Sequence, residues 1–199
     1  MSEKTILRSA ETRDAESILE IYKPYITDTP VSFETEVPTI DAFKKRIVDY
    51  QEKLPWLVCE IANVVVGYSY ATNHRQRIAY DCSKELSVYV HRNFRHRGIA
   101  TGLYTAMVEI LKHQGVSNVL AGIALPNSES VGFHERFGFK LVGIYHNVGF
   151  KLGRFHDAGW WELPIDTNLK SQVNIKPAHE LIDTDLWVRA IELGVSRIR

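Results

Sequence analysis

Cysteine is nearly absent from this chain. Its 199 residues include two, Cys59 and Cys82. That is too few for a disulfide framework, and both are expected reduced in a cytosolic setting. Cys59 sits in WLVCEIA and reads as core, whereas Cys82 reads as a bystander rather than a nucleophile. Charge of one sign is also missing. Lys plus Arg number 24, as do Asp plus Glu, so no overall field argues for nucleic acid or an anionic membrane as a partner. No apolar run approaches the roughly 20 residues of a membrane span. The opening MSEKTILRSAETRD has no apolar signal region, which predicts a cytoplasmic protein. Repeats and low-complexity tracts are lacking. So are two familiar phosphate loops: there is no Gly-Lys-Ser/Thr of a P-loop and no GxGxxG.

What is present is the composition of an ordinary globular domain, long enough to bury a core. Residues 5–9 form a strand candidate, and Thr12 can cap a helix over 13–22 with Ala15, Ile18, Leu19 and Tyr22 on one face. KPYITDTPVSFETEVP follows as a long loop, of a kind that is often functional. A second amphipathic helix spans 39–52, with Ile40, Phe43, Ile47 and Tyr50 on one side, and Pro55 ends it. Residues 56–62, 64–72 and 80–90 are rich in Val, Ile, Tyr and Trp and read as successive strands. A helix then runs to 114, where Gly115 is a natural terminator. VLAGIAL (119–125) is a near-continuous apolar strand, and Asn127 can cap a helix over 128–137 that stops at Gly138. Strands near 139–147 and 158–164 close the unit. A polar tail from 166 leads to a helix candidate at 183–193, which reads as an added packing or dimer element without chemistry of its own. This order predicts a mixed α/β (α+β) fold around one central sheet, and not a regular βαβ alternation.

The segment NFRHRGIATGLY (93–104) joins the strand ELSVYV to that long helix. Backbone N–H groups at a helix start are unpaired and partly positive, and small residues let a phosphate approach them. Arg95 and Arg97 add charge in a chain that is neutral overall, so the expected partner is a small anion held locally. The spacing Arg95-x-x-Gly98-x-Ala100 resembles the pyrophosphate-binding motif of GNAT-type N-acetyltransferases. Four stretches, from about residue 5 to 165, resemble more narrowly the phosphinothricin and methionine sulfoximine N-acetyltransferase group. They are TPVSFETEVP, PWLVCE with VVGYSYA, ELSVYV with its basic loop, and LPNSESVGFHERFGF followed by VGFKLGRFHDAGWWE.

The resemblance implies a GNAT-like fold, with one twisted mixed sheet flanked by helices. It implies an acetyltransferase domain over 1–165 and an extension over 166–199. It also implies acetyl-CoA as cosubstrate, no metal, a small amino-acid acceptor and a homodimer, with direct transfer in a ternary complex. The backbone at Val88 and Val90 would then hold the pantetheine arm between two splayed central strands. Arg95, His96 (through its N–H), Arg97, Gly98, Ala100 and Thr101 would surround the pyrophosphate, and Asn127 and Ser130 the far end of the arm. For Asn127 and Ser130 simple helix capping is the competing reading. Ala100 in place of a second Gly lies within the family pattern.

Acetyl transfer needs a neutral amine, and a carboxylate at the cleft can take its proton directly or through one water. Glu85, which opens ELSVYV, aligns with the family's glutamate in that role; the alternative is a solvated strand-end carboxylate. His134 stands where many family members carry a tyrosine that protonates the leaving sulfur, and a structural histidine is the alternative. Tyr89 and Tyr104 read as packing residues, with contact to the site as the alternative. On the acceptor side, Arg75 and Arg77 resemble the family's substrate arginines, a residue type suited to bidentate capture of a carboxylate; a solvated charged turn is the alternative for either one. Phe33 and Glu34, on the long early loop, resemble lid contacts. Lys151, Arg154 and His156 match a segment near the subunit interface. Two other readings remain open: a GNAT enzyme acting on another amine or a protein N-terminus, and a non-catalytic coenzyme A-binding module.

Overall fold

A computed structural model describes residues 4–167 and 174–199; the tail residues 168–173 lie outside the described part. One seven-stranded sheet organises the chain, in the order β1-β2-β3-β4-β5-β7-β6. These strands are β1 (Thr5–Ser9), β2 (Trp56–Ile61), β3 (Val64–Asn73), β4 (Ser83–Val90), β5 (Asn118–Leu125), β6 (Lys140–Lys151) and β7 (Arg154–Pro164). Every neighbouring pair is antiparallel except β4–β5, which is parallel. The sheet is therefore mixed, as the order of elements predicts.

Two cores lie on its two faces. On one, α1 (Ala15–Thr27) and α2 (Ile40–Gln51) press Ile18, Tyr22, Ile26, Phe43 and Ile47 against Trp56, Val58 and Tyr68. On the other, α3 (Ile99–Gln114) buries Leu103, Met107, Ile110 and Leu111, and α5 (Asp185–Val195) adds Trp187 and Ala190. The remaining helix, α4 (Ser128–Phe137), packs Phe133 and Phe137 against this second core.

Local signals set the boundaries near the site. Gly115 and Gly138 end α3 and α4 in the left-handed region, at φ +98° and +113°. The Asn127 side chain accepts the Ser130 N–H at 3.1 Å and caps α4.

Three elements depart from the sequence expectation. The first helix begins at Ala15, after a 3₁₀ turn over Thr12–Asp14, and Thr12 does not cap it. It also runs through Pro24 to Thr27, where the sequence predicts a loop. Proline removes one helical hydrogen bond, but the added turn buries Ile26 and brings Tyr25 to the end of β4. The strand predicted over 80–90 begins at Ser83, because Ile78–Tyr80 form a 3₁₀ turn. Finally, β6 and β7 are one long hairpin, whose tip falls where the sequence pattern predicts no strand. Its turn places Leu152 at φ +51° and Gly153 at φ +76°, the pair of positive values a two-residue type I′ turn requires.

Candidate active site

The site begins where the sheet opens. β4 and β5 pair only at Ser83↔Asn118, Lys84↔Val119 and Glu85↔Leu120. Beyond Glu85 the strands part, while β4 stays paired with β3 to Val90 and β5 with β7 to Leu125. The facing stretches Leu86–Val90 and Ala121–Ala124 line a cavity of about 580 Å³. Such facing strand edges suit an extended molecule bearing amides, which can add to them as a strand would. Val88 and Val90 are both on this wall. The Val90 carbonyl is already engaged, since it accepts the Tyr25 hydroxyl at 3.1 Å.

One end of the cavity suits an anion. After the 3₁₀ turn Arg92–Phe94, the chain passes through His96 at φ +62° and Gly98 at φ +80° into α3. The first intrahelical bond runs from the Gly102 N–H to the Gly98 carbonyl, 2.8 Å. The N–H groups of Ile99, Ala100 and Thr101 stand ahead of it, on residues that line the cavity together with His96 and Gly98. Arg95 spans the mouth: one guanidinium nitrogen donates to the Tyr25 hydroxyl at 3.2 Å and another to Glu129 at 3.4 Å. Arg97 turns elsewhere. Its guanidinium lies over the Phe94 ring, 5.5 Å from the centroid, and is not on the cavity wall.

His134 lines the same cavity at the level of Leu86 and is buried. Its Nδ1 lies 2.8 Å from the Ser130 carbonyl, and its Nε2 lies 3.0 Å from the Tyr104 hydroxyl. A carbonyl can only accept, so Nδ1 carries the hydrogen and Nε2 is left to accept from Tyr104 in the neutral ring. The Tyr104 hydroxyl is also 3.1 Å from the Leu86 carbonyl. One hydroxyl hydrogen serves one of these acceptors at a time, whereas a doubly protonated ring would satisfy all three contacts at once. Burial pushes the His134 pKa below its ordinary value, opposed by the bond to Ser130, so the neutral ring is the resting form near pH 7. Tyr104 is thus more than packing. Its spacing on α3 looks like that of any core residue, so the sequence carries no signal of the hydroxyl contact.

Glu85 sits at the apex where β4 and β5 diverge, on the opposite face of β4 from Leu86. His74 Nδ1 is 2.9 Å from its carboxylate. Burial pushes the Glu85 pKa up, and His74 and Arg75 oppose that shift. No sequence motif marks His74. It follows Asn73, which pairs with Lys84, so only the register of the β3–β4 hairpin brings it to Glu85. Its ring packs edge-on against Trp160 at 5.4 Å. Arg75 and Arg77 are exposed and line a second concavity with His74, Gln76 and Tyr80.

The early loop is tied down rather than free. The Glu34 carboxylate takes Arg46 at 2.7 Å and the Tyr22 hydroxyl at 3.2 Å. Buried Lys151 donates to the Ser32 carbonyl, and Phe33 lies against Gly149 of β6 and faces His156 at 6.5 Å. Neither Phe33 nor Glu34 borders the cavity between β4 and β5. Cys59 is buried, and its thiol pKa is pushed up to about 12, which leaves it inert as a nucleophile. No cluster of His, Cys, Asp and Glu among the described residues is arranged to hold a metal ion. No described helix is long and apolar enough to cross a membrane.

The cleft can take an extended anionic molecule bearing amides, and Glu85 stands where its two strands part, just off the cavity wall. The acetyltransferase (GNAT) domain family matches residues 7–160, and the chain belongs to that family of N-acetyltransferases. It is 35% identical to a phosphinothricin N-acetyltransferase of Streptomyces viridochromogenes over 156 residues, 78% of this chain and 85% of the relative. It is 31% identical to an L-methionine sulfoximine/L-methionine sulfone acetyltransferase of Pseudomonas aeruginosa over 163 residues, 80% of this chain and 94% of that protein. Among solved structures, a GNAT superfamily phosphinothricin acetyltransferase of Sinorhizobium meliloti in complex with acetyl-CoA superposes with a TM-score of 0.81. That pair is 28% identical, covering 89% of this chain and 97% of the other.

Proposed function

We propose that this enzyme transfers acetyl from acetyl-CoA to the α-amine of a small glutamate- or methionine-like amino acid. Phosphinothricin, methionine sulfoximine and methionine sulfone are the acceptors to try first. The observation that carries the reading is the position of Glu85. It lies at the apex of the donor cleft and beside the concavity that holds Arg75 and Arg77.

The pantetheine arm runs along Val88 and Val90, and the pyrophosphate rests on Arg95 and the turn from His96 to Thr101. Asn127 and Ser130 flank the arm. Asn127 keeps its cap to the Ser130 N–H while lining the cavity, so both of its roles coexist. The planar forks of Arg75 and Arg77 take the acceptor carboxylate. Phe33 and Glu34 hold the loop that bounds the acceptor side, and Glu34 acts through Arg46 and Tyr22.

Glu85 accepts the ammonium proton, directly or through one water, and frees the nitrogen lone pair. A carboxyl pushed up by burial is better matched to that task than one at its ordinary value. Across the cavity, the Tyr104 hydroxyl is the group with a proton to give the departing sulfur, and His134 Nε2, its acceptor in the neutral ring, can give one only after taking up a second proton. The chain works as a cytoplasmic homodimer. The edge strand β6 supports the dimer: Val142, Tyr145, Val148 and Phe150 are each more than half exposed.

Coenzyme A release measured across a panel of amines tests the reading. Turnover with amino-acid sulfoximines and none with polyamines is the expected result. Tight acetyl-CoA binding without turnover on any amine would point instead to a binding module.

A further inference from the structure

The family match stops at residue 160, yet the chain after it returns to the donor side of the site. Helix α5 buries Trp187, Ala190 and Gly194. A methyl group added at Gly194 would lie 2.7 Å from the Gly102 carbonyl, 2.7 Å from Leu7 and 2.9 Å from Ala106. The two helices therefore touch backbone to backbone at the first turn of α3. Past α5 the chain curls over that turn. The Arg197 and Ile198 N–H groups bond back to Gly194 and Val195, and the Arg199 N–H donates to the Arg97 carbonyl at 2.9 Å. The Arg197 carbonyl lies so close to Gly98 that any side chain there would collide with it. Ile198 fills the space over Gly102, where an added methyl would meet it at 2.6 Å.

These contacts all reach the turn from behind. Residues 95, 96 and 98–101 line the cavity, and the one member of that run off the wall is Arg97, whose carbonyl Arg199 holds. The turn needs support of this kind. It passes through positive φ twice, at His96 and Gly98, and a non-glycine residue there is uphill. Backbone N–H donors also have no rotamers with which to re-aim, so their direction is only as fixed as the turn itself.

We infer that residues 194–199 form a strap that holds the turn from Arg95 to Thr101 in its anion-binding shape, with Ile198 as the positioning residue. The inference rests on reading that turn as the pyrophosphate site. It makes the C-terminal extension a determinant of donor affinity through the anionic end of the donor alone.

The test compares dissociation constants for coenzyme A and for pantetheine, which lacks the pyrophosphate, in full-length variants. Ile198→Ala should weaken coenzyme A about tenfold, by loss of preorganisation, and leave pantetheine unchanged. Ile198→Val should restore most of the loss. Arg199→Pro deletes the N–H that holds the Arg97 carbonyl, from an exposed position, and should reproduce the same selectivity if Ile198→Ala fails to fold. Equal weakening of both ligands, or no change in either, overturns the strap. Arg95→Ala is measured beside them. If it leaves coenzyme A unchanged, the pyrophosphate reading fails and the strap falls with it. If it weakens coenzyme A selectively while Ile198→Ala and Arg199→Pro do not, the strap alone is wrong.

Discussion

The proposed donor half and the proposed acceptor half of this site are built from different materials. The donor half is mostly main chain: two strand edges that part after Glu85, and a helix start reached through His96 and Gly98. The acceptor half is mostly side chains drawn from separate elements. His74 and Arg75 come from the segment just after β3, Trp160 from β7, and Glu34 from a loop clamped by Arg46 of α2. Main-chain recognition tolerates changes of sequence that keep the turn. Side-chain recognition moves with each substitution, so relatives that share one donor can differ in acceptor.

Substitutions can break that contrast at its seam. The largest effect is expected at Glu85, which the proposed reaction places between the two halves. Glu85→Gln should lower turnover near neutral pH by about 10²–10⁴-fold, while coenzyme A titrations return nearly the parent affinity. An unchanged pH–rate profile would remove Glu85 as the base. On the donor side, Arg95→Ala removes a charged donor from the mouth. It should weaken coenzyme A by about tenfold or more, with the Michaelis constant of the acceptor barely moved.

On the acceptor side, Arg75→Ala should raise the Michaelis constant about tenfold for an acceptor with a free carboxylate, and much less for its amide. An equal rise for both would end the carboxylate assignment. Tyr104→Phe keeps the ring in its buried position and takes only the hydroxyl from His134. It should cost a few-fold in kcat, on the scale of one hydrogen bond, and fall mainly on slow-leaving thiol donors.

The smallest effect is a shift along the pH axis. Burial pushes the Glu85 pKa up, and His74 is among the groups holding it down. The base acts when deprotonated, so the acid limb of kcat/KM should lie above the ordinary carboxylate range. His74→Ala removes a lowering influence and should move that limb to higher pH; a limb that stays put or moves down would detach His74 from Glu85.

The same contrast separates the features legible in the sequence from those that are not. The helix start at Ile99, the ends of α3 and α4 at Gly115 and Gly138, and the Asn127 cap all depend on neighbours within a few residues. Their signals are local and therefore legible. The departure of β4 from β5 is available only through resemblance, because no residue within either strand announces where pairing stops. Pro24 misleads for a physical reason. Its local cost argues for a loop, and it is outweighed by distant contacts of Tyr25 and Ile26 with the sheet. His74 and Tyr104 are out of reach because their partners lie 11 and 30 residues away in sequence. Arg97 shows the reverse limit. A motif fixes where the residue sits, but not that its guanidinium lies over the Phe94 ring and off the cavity wall.

The parting of β4 and β5 also bears on how firmly the folded chain holds together. Five residues of β4 face four of β5 with no ladder between them, an interior edge of the sort proteins usually keep at the rim of a sheet. A donor that bridges those edges binds the native state and not the unfolded chain. At a concentration a hundredfold above its dissociation constant, such a ligand adds about 2.7 kcal/mol to the unfolding free energy. Heat resistance then becomes a function of donor supply, and a melting curve titrated with coenzyme A reads the state of the sheet itself.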